Sequence, residues 1–196
     1  MGINYNAEKG TFEFDFEHDG REDIISLTGS GYQVEAFGKC FYYGYEFADS
    51  VESQVRAAFI QYVKFTEDIA SNPELSRFVQ RAVDHLNRQI DLYDYDLVVM
   101  PQSSSRLNQY MLRYIYRFAQ PMLRAMDALQ NFLRFQNEDD KALCNAIRHQ
   151  NILIVDDVTT SGSTLNEILR ALRVLNEDNK ISIFSLLGRK DLIVEK

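Results

Sequence analysis

Two adjacent carboxylates, Asp156 and Asp157, stand between an apolar run and a cluster of hydroxyl residues. The run before them, Ile152, Leu153, Ile154 and Val155, has no polar member and reads as a strand buried on both faces. Val158 follows, then Thr159, Thr160, Ser161, Gly162, Ser163 and Thr164, and then Leu165, Ile168, Leu169, Leu172 and Leu175 at helical spacing. The predicted order is strand, paired acids, small polar loop, helix. Paired carboxylates accept hydrogen bonds from vicinal hydroxyls, or reach a divalent cation through water. The loop adds hydroxyl donors and the N–H groups of a helix N-terminus, where the helix dipole favours an anion. Gly162 lets backbone come close to a phosphate. Acids and phosphate cradle side by side suit a phosphorylated sugar. The chain has no G-x-x-x-x-G-K-[ST] string, which excludes a P-loop. In open α/β sheets ligands sit at the carboxyl ends of the strands, where this loop falls.

A second stretch repeats the arrangement. Residues 97–100 (LVVM) form another buried-strand candidate, followed by Pro101, Gln102, Ser103, Ser104, Ser105 and Arg106. Hydroxyls, an amide and one arginine suit an anion, because a guanidinium binds phosphate oxygens in a bidentate way. Alone, the segment reads equally well as an ordinary strand–helix connection.

The stretch from Ile152 to Thr164 resembles the phosphoribosyl pyrophosphate (PRPP) motif of type I phosphoribosyltransferases: four hydrophobic residues, two acids, a hydrophobic residue, then a Thr/Ser and Gly loop. The resemblance implies that Asp156 and Asp157 hold the ribose hydroxyls, and that Thr159, Thr160, Ser161, Gly162, Ser163 and Thr164 hold the 5-phosphate. It implies Mg²⁺ as cofactor, met by Asp156 and Asp157 through water, and a pyrophosphate loop at Gln102, Ser103, Ser104, Ser105 and Arg106. Thr160 stands where 6-oxopurine enzymes carry an Asp that serves the base. Arg106, Leu107, Asn108 and Gln109 are similar to the R-G-x-N-Q string of the competence-associated relatives, whose cysteine-rich zinc segment this chain lacks.

The elements that must position these residues come next. Residues 11–16 (TFEFDF) alternate as a half-buried strand, and residues 24–27, 32–36 and 39–47 read as further strands, with a turn at Gly29, Ser30 and Gly31. The aromatic cluster Phe41, Tyr42, Tyr43, Tyr45 and Phe47 reads as sheet packing ahead of a base-stacking patch. Val51, Val55, Ala58, Phe59, Tyr62 and Val63 predict one helix. Asn72 as N-cap with Pro73 behind it starts the next, whose apolar face runs from Phe78 to Ile90 with His85 at its edge. Leu107, Met111, Ile115, Phe118, Met122, Met126, Leu129 and Leu133 predict a long helix, kinked or broken at Pro121, with more apolar positions than one sheet face needs; a homodimer is expected to use part of it. A polar break follows at residues 137–140, then a short helix over residues 141–148, with no clear β-hairpin, although family members place a second strand and a flexible catalytic hairpin in this part of the chain. Residues 181–187 (ISIFSLL) predict a last buried strand.

Composition bounds the rest. The 196 residues carry 45% hydrophobic side chains, enough for a core in one domain with an elaboration. A net charge of -8 argues against nucleic acid as a main partner. Two distant cysteines, Cys40 and Cys144, point to a reducing cytoplasm and to neither a disulfide framework nor a zinc site. The opening MGINYNAEKG has no apolar leader core, and no run is long enough to span a membrane.

The expectation is an α/β fold: a parallel core sheet with flanking helices over residues 96–196, similar to type I phosphoribosyltransferases, under an N-terminal cap of antiparallel strands and helices over residues 1–95. The implied activity is Mg²⁺-dependent transfer of phosphoribose from PRPP to a small nitrogenous acceptor, with pyrophosphate leaving. The alternatives are a non-catalytic PRPP- or nucleotide-binding regulatory protein on the same fold, and a structural protein that keeps only the fold. The acids are expected at a strand end open to solvent.

Overall fold

A computed structural model describes residues 2–15, 21–26, 32–36, 39–47, 50–100, 105–115, 150–159, 162–175 and 178–188. The described chain forms eight strands, β1 (Gly2–Asn6), β2 (Thr11–Asp15), β3 (Arg21–Ser26), β4 (Tyr32–Ala36), β5 (Lys39–Phe47), β6 (Leu97–Val99), β7 (Asn151–Val158) and β8 (Lys180–Gly188). Its helices are α1 (Ser53–Phe65), α2 (Pro73–Gln89), α3 (Arg106–Ile115) and α4 (Ser163–Leu175), with a 3₁₀ turn at Leu92–Asp94. The expected α/β class, with parallel core, flanking helices and N-terminal antiparallel strands, is what these residues form.

All eight strands belong to one mixed sheet, in the order β1-β2-β3-β5-β8-β7-β6 with β4 also on β5. β5, β8, β7 and β6 run parallel, and β1 to β4 are antiparallel to their neighbours. Residues 39–47 depart from the expected antiparallel cap. One edge of β5 pairs in parallel with β8, from Cys40 opposite Ser182 to Glu46 opposite Gly188. Its other edge is shared by β4 along residues 39–43 and by β3 at Glu46 and Phe47. The sheet therefore runs unbroken across the expected boundary at residues 95 and 96. The cause lies in the β5 sequence: Phe41, Tyr42, Tyr43, Tyr45 and Phe47 are buried on both faces, as an interior strand requires.

The sequence reading overlooked β1. It forms a hairpin with β2 through residues 7–10, where Asn6 Oδ1 accepts the N–H groups of Glu8 and Lys9 and Gly10 adopts a φ of 69°. Asn and a left-handed Gly are the residues such a turn selects. Asn72 caps α2 as expected, its side chain accepting from Leu75 N–H at 3.0 Å with Pro73 at the first helical position. Among the described residues, no helix is long and apolar enough to cross a membrane.

One face of the sheet, carrying Tyr42, Tyr45, Val98, Leu153, Val155, Phe184 and Leu186, packs into a core with Val55, Phe59 and Val63 of α1, Phe78, Val79 and Ala82 of α2, and Leu107, Met111 and Ile115 of α3. Tyr45 stacks on Phe78 with ring centroids 4.1 Å apart, and its hydroxyl donates to the Phe78 carbonyl at 2.6 Å. Most of the aromatic cluster is thus core packing. The first part of the 107–133 stripe is core as well; the rest lies outside the described residues, as do the turn at residues 29–31 and the short helix read over 141–148. The alternate strand residues Ile152, Ile154, Ile181 and Ile183 are buried, together with Leu165, Ile168, Leu169 and Leu172 of the crossover helix α4.

Gly44 of β5 marks the tightest approach of α2 to the sheet. A Cβ there would stand 2.7 Å from Ala82 Cβ and 3.0 Å from the Leu186 carbonyl oxygen, so no side chain fits without moving backbone. Gly44→Ala is expected to lower stability by about 1–3 kcal/mol, through overpacking, in urea unfolding.

Candidate functional site

The parallel strands end together. Phe47 of β5, Gly188 of β8 and Val158 of β7 lie at their carboxyl ends, the side of the sheet on which α/β proteins bind ligands. β6 pairs with β7 only from Leu97–Ile152 to Val99–Ile154, so residues 155–158 continue past the paired part of β6. Asp156 and Asp157 fall in this overhang, where among the described residues β8 pairs beside them, Asp156 opposite Ser185 and Val158 opposite Leu187.

Both acids are buried, Asp156 at 8% exposure and Asp157 at 1%, which corrects the expectation of carboxylates open to solvent. The strand does not stop at the acids but runs on to Val158, and the next residue is tied down too: Thr159 N–H donates to the Leu187 carbonyl at 2.9 Å and to Ser185 Oγ at 3.2 Å. Strand alternation sends the two side chains to opposite faces. Asp157 turns to the face covered by α1, where Lys64 Nζ lies 3.2 Å from its Oδ1. The same Oδ1 accepts Val158 N–H at 2.7 Å, and Oδ2 is buried with no hydrogen-bond partner among the described residues. Asp156 turns to the other face. Its Oδ1 accepts Asp157 N–H at 2.9 Å, and its Oδ2 has a long contact of 3.5 Å from the Thr159 hydroxyl.

Burial, above all, pushes the Asp156 carboxyl up to about 7, and the neighbouring Asp157 charge adds to the rise. The Asp157 N–H, the Lys64 ammonium and the Thr159 hydroxyl pull the other way. Asp156 is therefore half protonated near neutrality, and a ligand hydroxyl that donates to it favours the charged form.

Gly162 has a φ of 70° and its carbonyl accepts Asn166 N–H at 2.9 Å, so it opens α4 from the left-handed region. Such a conformation costs an L-residue roughly 1–2 kcal/mol, and only glycine adopts it freely. Ser163 and Thr164 follow in the exposed first turn of the helix. Thr159 is buried against Asp156 and β8. Thr160 and Ser161 lie outside the described residues, as do Gln102, Ser103 and Ser104. Ser105 is buried, and Arg106 is exposed at the start of α3, its Nη1 donating to the Glu67 carbonyl at 2.8 Å. In this arrangement the guanidinium is engaged with the segment after α1.

A cleft of about 210 Å³ opens beside the acids, between α1 and the strand ends. Ser53, Arg56, Ala57 and Ile60 line it from α1, and Phe47, Val158, Thr159, Leu187 and Gly188 from the sheet. Phe47 is the one member of the aromatic cluster on its wall. Arg56 is held by its Nε donating to the Val51 carbonyl at 2.8 Å, with its guanidinium 5.8 Å from the Phe47 ring centroid. A larger cavity of about 340 Å³, lined by residues such as Asp91, Tyr95 and Lys180, lies at the amino ends of β7 and β8, far from the acids.

Mg²⁺ wants oxygen donors and keeps most of its waters. Two carboxylates supply oxygens, but one already faces an ammonium, and the described residues hold no group of three or more His, Cys, Asp or Glu side chains. Asp156 and Asp157 could reach such an ion through water.

Two site features escaped the sequence reading, Lys64 and the α1 wall of the cleft, and the sequence marks Asn108 only as part of the string from Arg106 to Gln109, not as a buried polar group. Asn108 is wholly buried on the same stripe of α3 as Met111, Leu112 and Ile115, and neither atom of its amide has a partner. A polar residue at apolar spacing was the available signal. Lys64 follows Ala57 and Ile60 at helical spacing, but nothing in the sequence says which helix crosses the strand ends.

No family model matches the chain, and no curated protein matches it.

Asp156 supplies a test by pH. Its folded value lies above its unfolded one, so the folded form binds the extra proton. Stability then falls as pH rises from about 4 through about 7, and levels off where both states are charged, a loss of up to about 4 kcal/mol. Asp156→Asn removes this dependence. The stability of the variant relative to wild type is expected to climb from pH 4 to pH 7 and then stay constant, measured by urea unfolding across that range.

Proposed function

We propose that the chain is a phosphoribosyltransferase that takes PRPP and transfers its phosphoribosyl group to a small nitrogenous acceptor. The observation that carries this reading is the sequence of parts along one strand end: Asp156 and Asp157 in the overhang of β7, then Gly162 at positive φ opening α4. Acids for hydroxyls and a helix N-terminus for a phosphate, joined by a short loop, suit a sugar phosphate lying across the end of the strand.

In this reading the first-turn N–H groups of α4, with Ser163 and Thr164, bind the 5-phosphate. Asp156 accepts from a ribose hydroxyl and places negative charge beneath the ring as the anomeric carbon becomes cation-like. Arg106, at the start of α3, has the charge and the length to leave the Glu67 carbonyl for the departing pyrophosphate. The acids at the end of β7 would meet Mg²⁺ through water, and the ion, when bound, would supply charge neutralisation for the leaving group. The cleft of about 210 Å³ beside Val158 and Thr159 offers room for a small acceptor.

The burial of both acids and the engagement of Asp157 with Lys64 support a second reading, a regulatory protein that binds PRPP without transferring it. Pyrophosphate release, followed with Mg²⁺ and PRPP against a panel of purines, pyrimidines and simple amines, separates the two. The enzyme is expected to release pyrophosphate only with an acceptor, and Arg106→Ala to abolish the release. Binding of PRPP with no release under any condition selects the regulatory reading, and absence of binding removes both.

The phosphate cradle is tested on its own by Gly162→Val, which forces a β-branched side chain into the left-handed region. Loss of ribose 5-phosphate binding in calorimetry, with the far-ultraviolet spectrum retained, is the expected outcome; binding equal to wild type would put the cradle elsewhere.

A further inference from the structure

Lys64 lies outside every motif of the chain, yet its ammonium enters the site 3.2 Å from Asp157. The lysine side chain is 31% exposed and the aspartate side chain 2% exposed, so the pair spans from the rim of the molecule to its interior. Along α1, Ser53, Ala57 and Ile60 wall the cleft and Lys64 continues their stripe by one more turn. The opposite stripe, Val55, Phe59 and Val63, is buried in the core. α1 therefore roofs the cleft with one side and is tied at its last turn to the strand that carries the acids.

The two acids differ in what is left to them. Asp157 Oδ1 is shared by Lys64 and Val158 N–H, and Oδ2 is sealed from solvent. Asp156 faces the α4 side, with one oxygen in a local backbone bond and the other holding a contact of 3.5 Å. A long, weak contact of that kind is readily exchanged for a ligand hydroxyl.

We propose that Lys64 is a positioning residue of the site: its ion pair with Asp157 fixes the α1 roof over the cleft and reserves Asp157 for that task, which leaves Asp156 as the acid that meets the ligand's hydroxyls. The proposal rests on the reading of these acids as a ribose site. It divides between them a role that adjacency in sequence would give to both.

The test uses the full chain and five variants: Lys64→Met, Lys64→Arg, Asp157→Asn, the double variant Lys64→Met/Asp157→Asn, and Asp156→Asn. Urea midpoints are measured without ligand, and PRPP affinity is measured with Mg²⁺ by calorimetry. Breaking one side of a buried pair strands the other charge, so the midpoint losses of the two single variants should be non-additive, the double variant keeping more stability than their sum allows. Lys64→Met should weaken PRPP binding by at least about tenfold, and Lys64→Arg should restore it to within about threefold, because a guanidinium reaches the same carboxylate. The double variant should bind PRPP better than either single variant, whereas Asp156→Asn should lose binding with a midpoint at neutral pH no lower than that of wild type. Additive midpoints, wild-type affinity in Lys64→Met, or a double variant as weak as Asp156→Asn would each overturn the proposal. A wild-type protein that binds no PRPP would remove the ribose reading, and the Lys64–Asp157 tie would then stand or fall on the midpoints alone.

Discussion

A carboxylate sealed inside a protein needs a counter-charge, and much of this molecule is arranged so that Asp157 has one. Asp157 is 1% exposed at the end of an interior strand, where an isolated charge would be costly to bury. Lys64 meets it from the last turn of α1, and that contact requires the helix to lie across the carboxyl ends of the parallel strands. The core fixes the same placement from the other side of the helix, where Phe59 packs edge-on against Phe14, Phe47 and Phe78. Apolar packing sets the height of α1 above the sheet, and the ion pair sets its position along β7. The cleft is the space between.

The N-terminal segment is consequently part of the site. β5 lends Phe47 to the cleft wall, α1 lends the roof and its lysine, and the link after α1 holds Arg106 through the Glu67 carbonyl. α2 is held against α3 by hydrogen bonding of Tyr110 to Ser76 and to Gln80, the latter at 3.1 Å. None of these contacts is local in sequence. They form because β5 sits beside β8 in the sheet, which brings residues 39–65 over the strand ends.

Electrostatics in the site follow from that packing. Two adjacent acids with equal freedom would repel each other in the same water. Here they occupy opposite faces, one 3.2 Å from an ammonium and one buried beside the other acid, with its carboxyl raised to about 7. Asymmetry of this kind gives neighbouring carboxylates different tasks. It is set by which face each side chain takes, and so by the pleat of β7 and the helices on either side of it.

The sequence alone determined the local elements near the site. An unbroken apolar run before Asp156 meant an interior strand, the apolar spacing after the hydroxyl loop meant a helix, and Asn72-Pro73 meant a helix start; each depends on contacts a few residues apart. It was also enough to single out Asp156, Asp157 and Gly162 as candidate site residues. Tertiary structure decided the rest, because it depends on which surfaces meet. Only the fold shows β5 as a parallel interior strand, since buried aromatics read alike in either direction. Only the fold buries the acids, since burial depends on what lies across the strand end. Only the fold brings Lys64 to Asp157, because a charge 93 positions away in the chain (157 minus 64) carries no sign of its partner until the helix beneath it has packed.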